Sequence, residues 1–177
     1  ASGNLFHQHQ FFTKKLQEHK CKNMLVIAHQ SSKGASRAVE TIAAKEPSIL
    51  KTVEVKVFDP AEYNRGDYKI IDFDAVYIKG GVPQIWDKEI LAICGKKLNI
   101  DLKQFLFKKS GCYFGSSWGL VILFRVFHTH PEVGEEHQSQ WYDHGLGIYK
   151  DILPETHYGP PQDMKFLYER HRFVEAA

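Results

Sequence analysis

The sequence predicts an α/β domain with a three-layer, doubly wound architecture. Its expected centre is a five-stranded parallel sheet in the order 2-1-3-4-5, with helices on both faces. Three observations predict this. Short apolar runs bounded by turn residues alternate with segments whose apolar residues recur at helical spacing. The apolar runs at 24–28, 73–79 and 111–114 each stop at a cluster of glycine or small polar residues. Residues 24–44 read as strand, small polar loop and helix, an arrangement that turns free backbone N–H groups toward an anion.

Composition sets the bounds. The chain has 177 residues, 43% of them hydrophobic and 25% charged, as expected of one globular domain with a proper core. A formal net charge of +2 argues against a dedicated nucleic-acid binder. The longest apolar stretches, 24–28 and 120–124, fall far short of the roughly 20 residues that span a bilayer. No charged-then-apolar leader opens the sequence, so a cytoplasmic location is expected. Cys21, Cys94 and Cys112 have neither disulfide-framework density nor paired metal spacing.

Taken in order, residues 1–22 carry Leu5, Phe6, Phe11, Phe12 and Leu16 among polar residues. They predict an N-terminal amphipathic helical extension to a domain covering 23–177, with its aromatic stripe packed on that domain or on a partner. After the first strand, Ala38, Val39, Ile42 and Ala43 have helical spacing. Val53, Val55 and Val57 alternate with Glu54 and Lys56, a strand signature that Asp59-Pro60 ends. Residues 63–72 read as a polar connection and 73–79 as the third strand. A helix is expected over 85–97 and a second over 101–109. The fourth strand, 111–114, leads to an apolar helix over 120–127. Residues 128–145 read as a loop rich in His and Glu, 146–152 as the last strand, and 162–175 as a terminal helix opened by Pro160-Pro161.

In a parallel sheet the loops beyond successive strand ends emerge on one edge and can touch one ligand. The first holds Ser31, Ser32, Lys33, Gly34, Ala35 and Ser36: hydroxyl donors, a close-approach glycine and a positive charge, suited to a phosphate. The second runs through Gly80, Gly81, Val82 and Pro83 to Trp86, and the third is Gly115, Ser116, Ser117 and Trp118. Each pairs glycine with a tryptophan, which suits a flat ring held against backbone and aromatic surface.

On these residues the chain resembles the flavodoxin-like flavoproteins, which include flavodoxins and the NAD(P)H:quinone oxidoreductases. Ser31-Ser32-Lys33-Gly34-Ala35-Ser36 is similar to their Ser/Thr-x-x-Gly-x-Thr phosphate loop. Val26-Ile27-Ala28-His29, with Arg37-Ala38-Val39 after it, is similar to the quinone-reductase version. Phe73-Asp74-Ala75-Val76-Tyr77-Ile78, followed by Gly-Gly and Trp86, resembles the third strand and the loop that contacts the flavin ring. Phe114-Gly115-Ser116-Ser117-Trp118 resembles the Phe-Gly-Ser turn after the fourth. The resemblance implies bound flavin mononucleotide (FMN), NAD(P)H as electron donor, and a quinone-type molecule or redox protein as acceptor. A homodimer is compatible with it. Gly81-Val82-Pro83 departs from the family's Ser-Pro and nearby Tyr, and the slightly basic charge departs from the acidic electron carriers.

A second reading stays open. Gly115-Ser116-Ser117-Trp118-Gly119 fits Gly-x-Ser-x-Gly, the nucleophile elbow, in which a strained strand-to-helix turn exposes a hydroxyl. With Gly80-Gly81 and the apolar segment after the elbow, it resembles class I glutamine amidotransferase-like proteins and their serine-peptidase relatives. That family's nucleophile is usually Cys, and a small residue is usual where Trp118 stands. His130-Pro131-Glu132 resembles the family's His-x-Glu pair but lies close behind the elbow. The flavin reading is preferred here because the elbow leaves the serine-rich loop after the first strand unexplained. A cofactor-free interaction domain that keeps only the fold is the third reading. His128, His130, Glu132, Glu135, Glu136 and His137 show no fixed four-ligand spacing, so no metal site is assigned.

Overall fold

A computed structural model of the chain describes residues 9–28, 39, 40, 42, 44, 47–81, 83–108, 111–129, 140–143, 145–150 and 154. Four strands form one parallel sheet: β1 (Asn23–Ile27), β2 (Glu54–Val57), β3 (Ala75–Ile78) and β4 (Cys112–Gly115), in the order β2-β1-β3-β4. Met24 lies opposite both Val55 and Ala75, and Ala75 lies opposite Cys112. β1 and β3 are buried almost throughout, as central parallel strands covered on both faces must be. β2 is the half-exposed edge. This architecture is compatible with a flavodoxin-like fold.

The two-residue period of the strands sorts the core into two layers. Leu25, Ile27, Val76 and Ile78 face one layer, with Phe58, Tyr63, Leu98, Leu102 and Phe105. Met24, Val26, Ala75 and Tyr77 face the other, with Phe12, Leu16, Ile42 and Ile49. The N-terminal helix, His9–Glu18, inserts Phe12 into this second layer, edge-on to Phe114 at 4.4 Å and to Tyr77 at 6.3 Å. Past Ala28, the described residues before residue 47 (Val39, Glu40, Ile42 and Ala44) are helical, and Ile42 is buried.

Several elements differ from the sequence expectation. Residues 60–65, expected to end a strand and begin a polar connection, form the helix Pro60–Arg65. The Asp59 carboxylate accepts from the N–H groups of Ala61 and Glu62 at 2.8 and 3.0 Å, and Gly66 closes the helix at φ 83°. Asp-Pro at the start and glycine at the end are a cap signature. The helical segment after β3 is one run, Pro83–Trp86, a π-turn Asp87–Leu91 and Ala92–Phe107. It breaks at Gly95, with φ 59° and ψ −154°, rather than between residues 97 and 101. Asn64 donates its side-chain amide to the Ile93 carbonyl at 2.9 Å beside this break.

Beyond β4, the helix expected over 120–127 is a single turn, Trp118–Val121. The Leu123 carbonyl is drawn out to accept from the N–H groups of Ile148 and Tyr149 at 2.8 and 3.2 Å, and Arg125 donates to the Tyr149 carbonyl. These long-range bonds take carbonyl groups that a continuing helix would need. The expected fifth strand over 146–152 is reduced, among the described residues, to one parallel bridge between Phe124 and Tyr149. Residue 127, expected to end that helix, and residues 128, 129 and 140–142, expected as loop, pair as an antiparallel hairpin of β5 (Phe127–Thr129) and β6 (Gln140–Tyr142). The expected terminal helix over 162–175 lies outside the described residues. No helix among the described residues is long and apolar enough to cross a membrane.

Candidate functional site

Of the three loops expected to share the carboxyl edge, the second and third come together. Ser116 donates its N–H to the Ile78 carbonyl at 3.1 Å, extending the β3–β4 ladder by one bond. Its hydroxyl oxygen accepts the Gly80 N–H at 2.9 Å and lies 3.4 Å from the Tyr77 hydroxyl. Burial raises the pKa of Tyr77, so its phenol is a neutral hydrogen-bonding group. The backbones then meet closely: a Cβ built on Gly80 would stand 2.7 Å from Ser117 Cβ and 2.9 Å from the Ser116 carbonyl oxygen.

Ser117, which is exposed, has φ 48° and ψ −115°. That combination lies outside the regions L residues ordinarily occupy, and holding such a conformation costs of order 1–3 kcal/mol. The flanking glycines are what permit it. A Cβ on Gly119 would collide with the Ile78 carbonyl, and one on Gly115 with the Gly119 carbonyl. The turn is held on its far side by Gly119 donating to the Ser116 carbonyl at 2.9 Å and Leu120 to the Ser117 carbonyl at 2.8 Å. The Tyr113 hydroxyl also donates to the Gly119 carbonyl. A strand, a strained serine and a helical turn, closed by two glycines too crowded for any side chain, form the geometry of a nucleophile elbow.

Trp118 and Trp86, expected beside a flat ring, are core residues, 2% and 1% exposed. Their rings lie 6.2 Å apart, and Trp118 also meets Phe127 at 4.9 Å and Tyr142 at 5.9 Å. Phe127 and Tyr142 stack across the β5–β6 hairpin at 5.2 Å. Neither indole N–H finds an acceptor among the described residues, a cost set against extensive ring packing. This aromatic block anchors the residue next to Ser117, so core packing holds the strained turn.

The phosphate-loop residues, Ser31 to Ser36, and Val82 lie outside the described residues. So do His29, His130, His144 and His157. His128 stands in β5 beside Phe127, whose ring packs on Trp118. Sequence reasoning singled out Ser117 but missed Tyr77, because a tyrosine inside a buried strand carries no local signal of its contact with Ser116. No group of three or more His, Cys, Asp or Glu side chains suited to a metal ion occurs among the described residues.

No protein-family model matches the chain, and no curated protein matches it.

Proposed function

We propose that the protein is a serine-nucleophile hydrolase of the class I glutamine amidotransferase-like kind, acting on an amide or ester carbonyl through Ser117. The observation that carries this reading is the Ser117 backbone, at φ 48° and ψ −115° between glycines that cannot accept a Cβ. Backbone strain of this kind clusters at functional sites, and here it falls on an exposed side chain that can act as a nucleophile. Ser117 Oγ attacks the carbonyl carbon, its proton passes to a base, and the leaving group departs with a proton. Water then cleaves the acyl-serine ester. The N–H of Trp118, the residue after the nucleophile, is the elbow's expected donor to the developing oxyanion. Alanine variants of His29, His128, His130, His144 and His157 identify the base.

A fluorophosphonate probe tests the proposal directly, because it phosphonylates an activated serine and leaves an ordinary one intact. Stoichiometric labelling, lost in Ser117→Ala, is expected. The flavin mononucleotide reading, with NAD(P)H as donor and a quinone-type acceptor, rests chiefly on the loop from Ser31 to Ser36. Quenching of FMN fluorescence on titration, with Ser117 unlabelled, would replace the hydrolase with that reading. Failure of both measurements would leave a cofactor-free interaction domain.

A further inference from the structure

We propose that the cavity between the helices His9–Glu18 and Ile49–Thr52 binds a small amphipathic carboxylate. The cavity has a volume of about 230 Å³. Of the residues that line it, Val53 directly precedes β2 and Cys21 stands two positions before β1. It therefore opens at the amino-terminal edge of the parallel sheet, whereas Ser117 follows β4 at the carboxyl edge. The inference does not depend on the Ser117 chemistry.

Two features of the lining are unexplained by packing. Thr13 contributes a buried hydroxyl oxygen with no hydrogen-bond partner among the described residues. A helical threonine ordinarily satisfies its hydroxyl on a carbonyl one turn back, as Thr52 does across the cavity, donating toward the Ser48 and Ile49 carbonyls at 3.4 and 3.3 Å. Thr13 is left with a donor and lone pairs for something else.

The second feature is Lys20. The helix ends in a Schellman turn, with Cys21 donating to the Leu16 carbonyl at 2.9 Å and Lys20 to the Gln17 carbonyl at 3.0 Å. The left-handed position of this turn is usually glycine, because a Cβ is disfavoured there. Here it is Lys20, at φ 52°. A lysine that lines the cavity, itself exposed, thus occupies this position at the expense of backbone comfort. Among the described residues, none that lines the wall is acidic and Lys20 has no ion pair. Leu16, Ile49 and Val53 supply a buried apolar floor. Such a wall suits an apolar body of several carbons on the floor, a carboxylate paired with Lys20, and a ligand oxygen in reach of the Thr13 hydroxyl.

Isothermal titration calorimetry of the full chain with octanoate and with octanamide tests the proposal. Saturable octanoate binding is expected, with octanamide about tenfold weaker or more, as loss of a charge-assisted contact implies. Lys20→Gly should raise Tm by relieving the left-handed backbone and weaken octanoate about tenfold. Thr13→Val should weaken binding severalfold with Tm kept. Because Lys20→Gly is expected to fold better than the parent, weaker binding by it cannot be ascribed to unfolding. No saturable heat with octanoate at millimolar concentration would overturn the proposal. Equal affinity for acid and amide, or unchanged octanoate affinity in Lys20→Gly, would do the same.

Discussion

The backbone N–H of Gly80 donates to the hydroxyl oxygen of Ser116 at 2.9 Å, joining the turn after β3 to the turn after β4. This bond holds the Gly80 backbone against Ser117 and ties the conformation of one loop to that of the other. Ser116 therefore bears on Ser117 by placing its neighbours.

Removing that hydroxyl tests the coupling. Ser116→Ala should slow fluorophosphonate labelling of Ser117 about tenfold and cost about 1 kcal/mol of stability, the size of one neutral hydrogen bond. Ser116→Thr retains the oxygen and should restore most of the labelling rate. Equal rates in the parent and Ser116→Ala would show that Gly80 keeps its place without the bond.

Strain at Ser117 predicts opposite effects on stability and chemistry. Ser117→Gly should raise unfolding free energy by about 1 kcal/mol, the relieved backbone cost less the extra unfolded-state entropy of glycine. Labelling should vanish in the same variant. Gly119→Ala should act in the reverse sense, costing about 3 kcal/mol or more as the new methyl is driven into the Ile78 carbonyl. Urea titrations of the variants measure these changes, and destabilisation by Ser117→Gly would contradict the reading of strain.

The cysteines predict an alkaline limit to stability. Burial, with Cys112 nearby, pushes the Cys21 thiol from 9.0 up to about 12, and burial pushes Cys94 up to about 11. The folded state thus favours the protonated thiol, while the unfolded chain ionises near 9.0. The resulting stabilisation is complete below pH 9 and is lost as pH rises through 11 toward 12. Urea midpoints should fall over that window, and less steeply in Cys21→Ala/Cys94→Ala. At neutral pH iodoacetamide should leave all three folded-state thiols unmodified. An alkaline slope identical in the double variant would assign the loss to other groups.

The four parallel strands were legible because their signal is local. Val53, Val55 and Val57 alternate along one chain segment, and the runs at 24–28 and 73–79 are apolar throughout, as doubly covered strands require. The helix Pro60–Arg65 is also written locally, in Asp59-Pro60 and Gly66, but so short a capped helix has little room for apolar periodicity. The elbow was visible as Gly-x-Ser-x-Gly, but a pattern of residue types does not specify a backbone angle.

By itself the sequence determined an α/β domain with parallel strands, the two-sided burial of β1 and β3, and a glycine-flanked serine after β4. Tertiary structure alone decided the rest. Residues 122–125 left their helix because partners at 145–149, two dozen positions away, claimed their backbone groups. Trp86 and Trp118 became core because Phe127 and Tyr142 fold over Trp118. Ser117 took its strained conformation because Gly119 lies against the Ile78 carbonyl on the neighbouring strand. Periodicity reports which face of an element is apolar, whereas each of these outcomes depends on which distant backbone stands within a few ångströms.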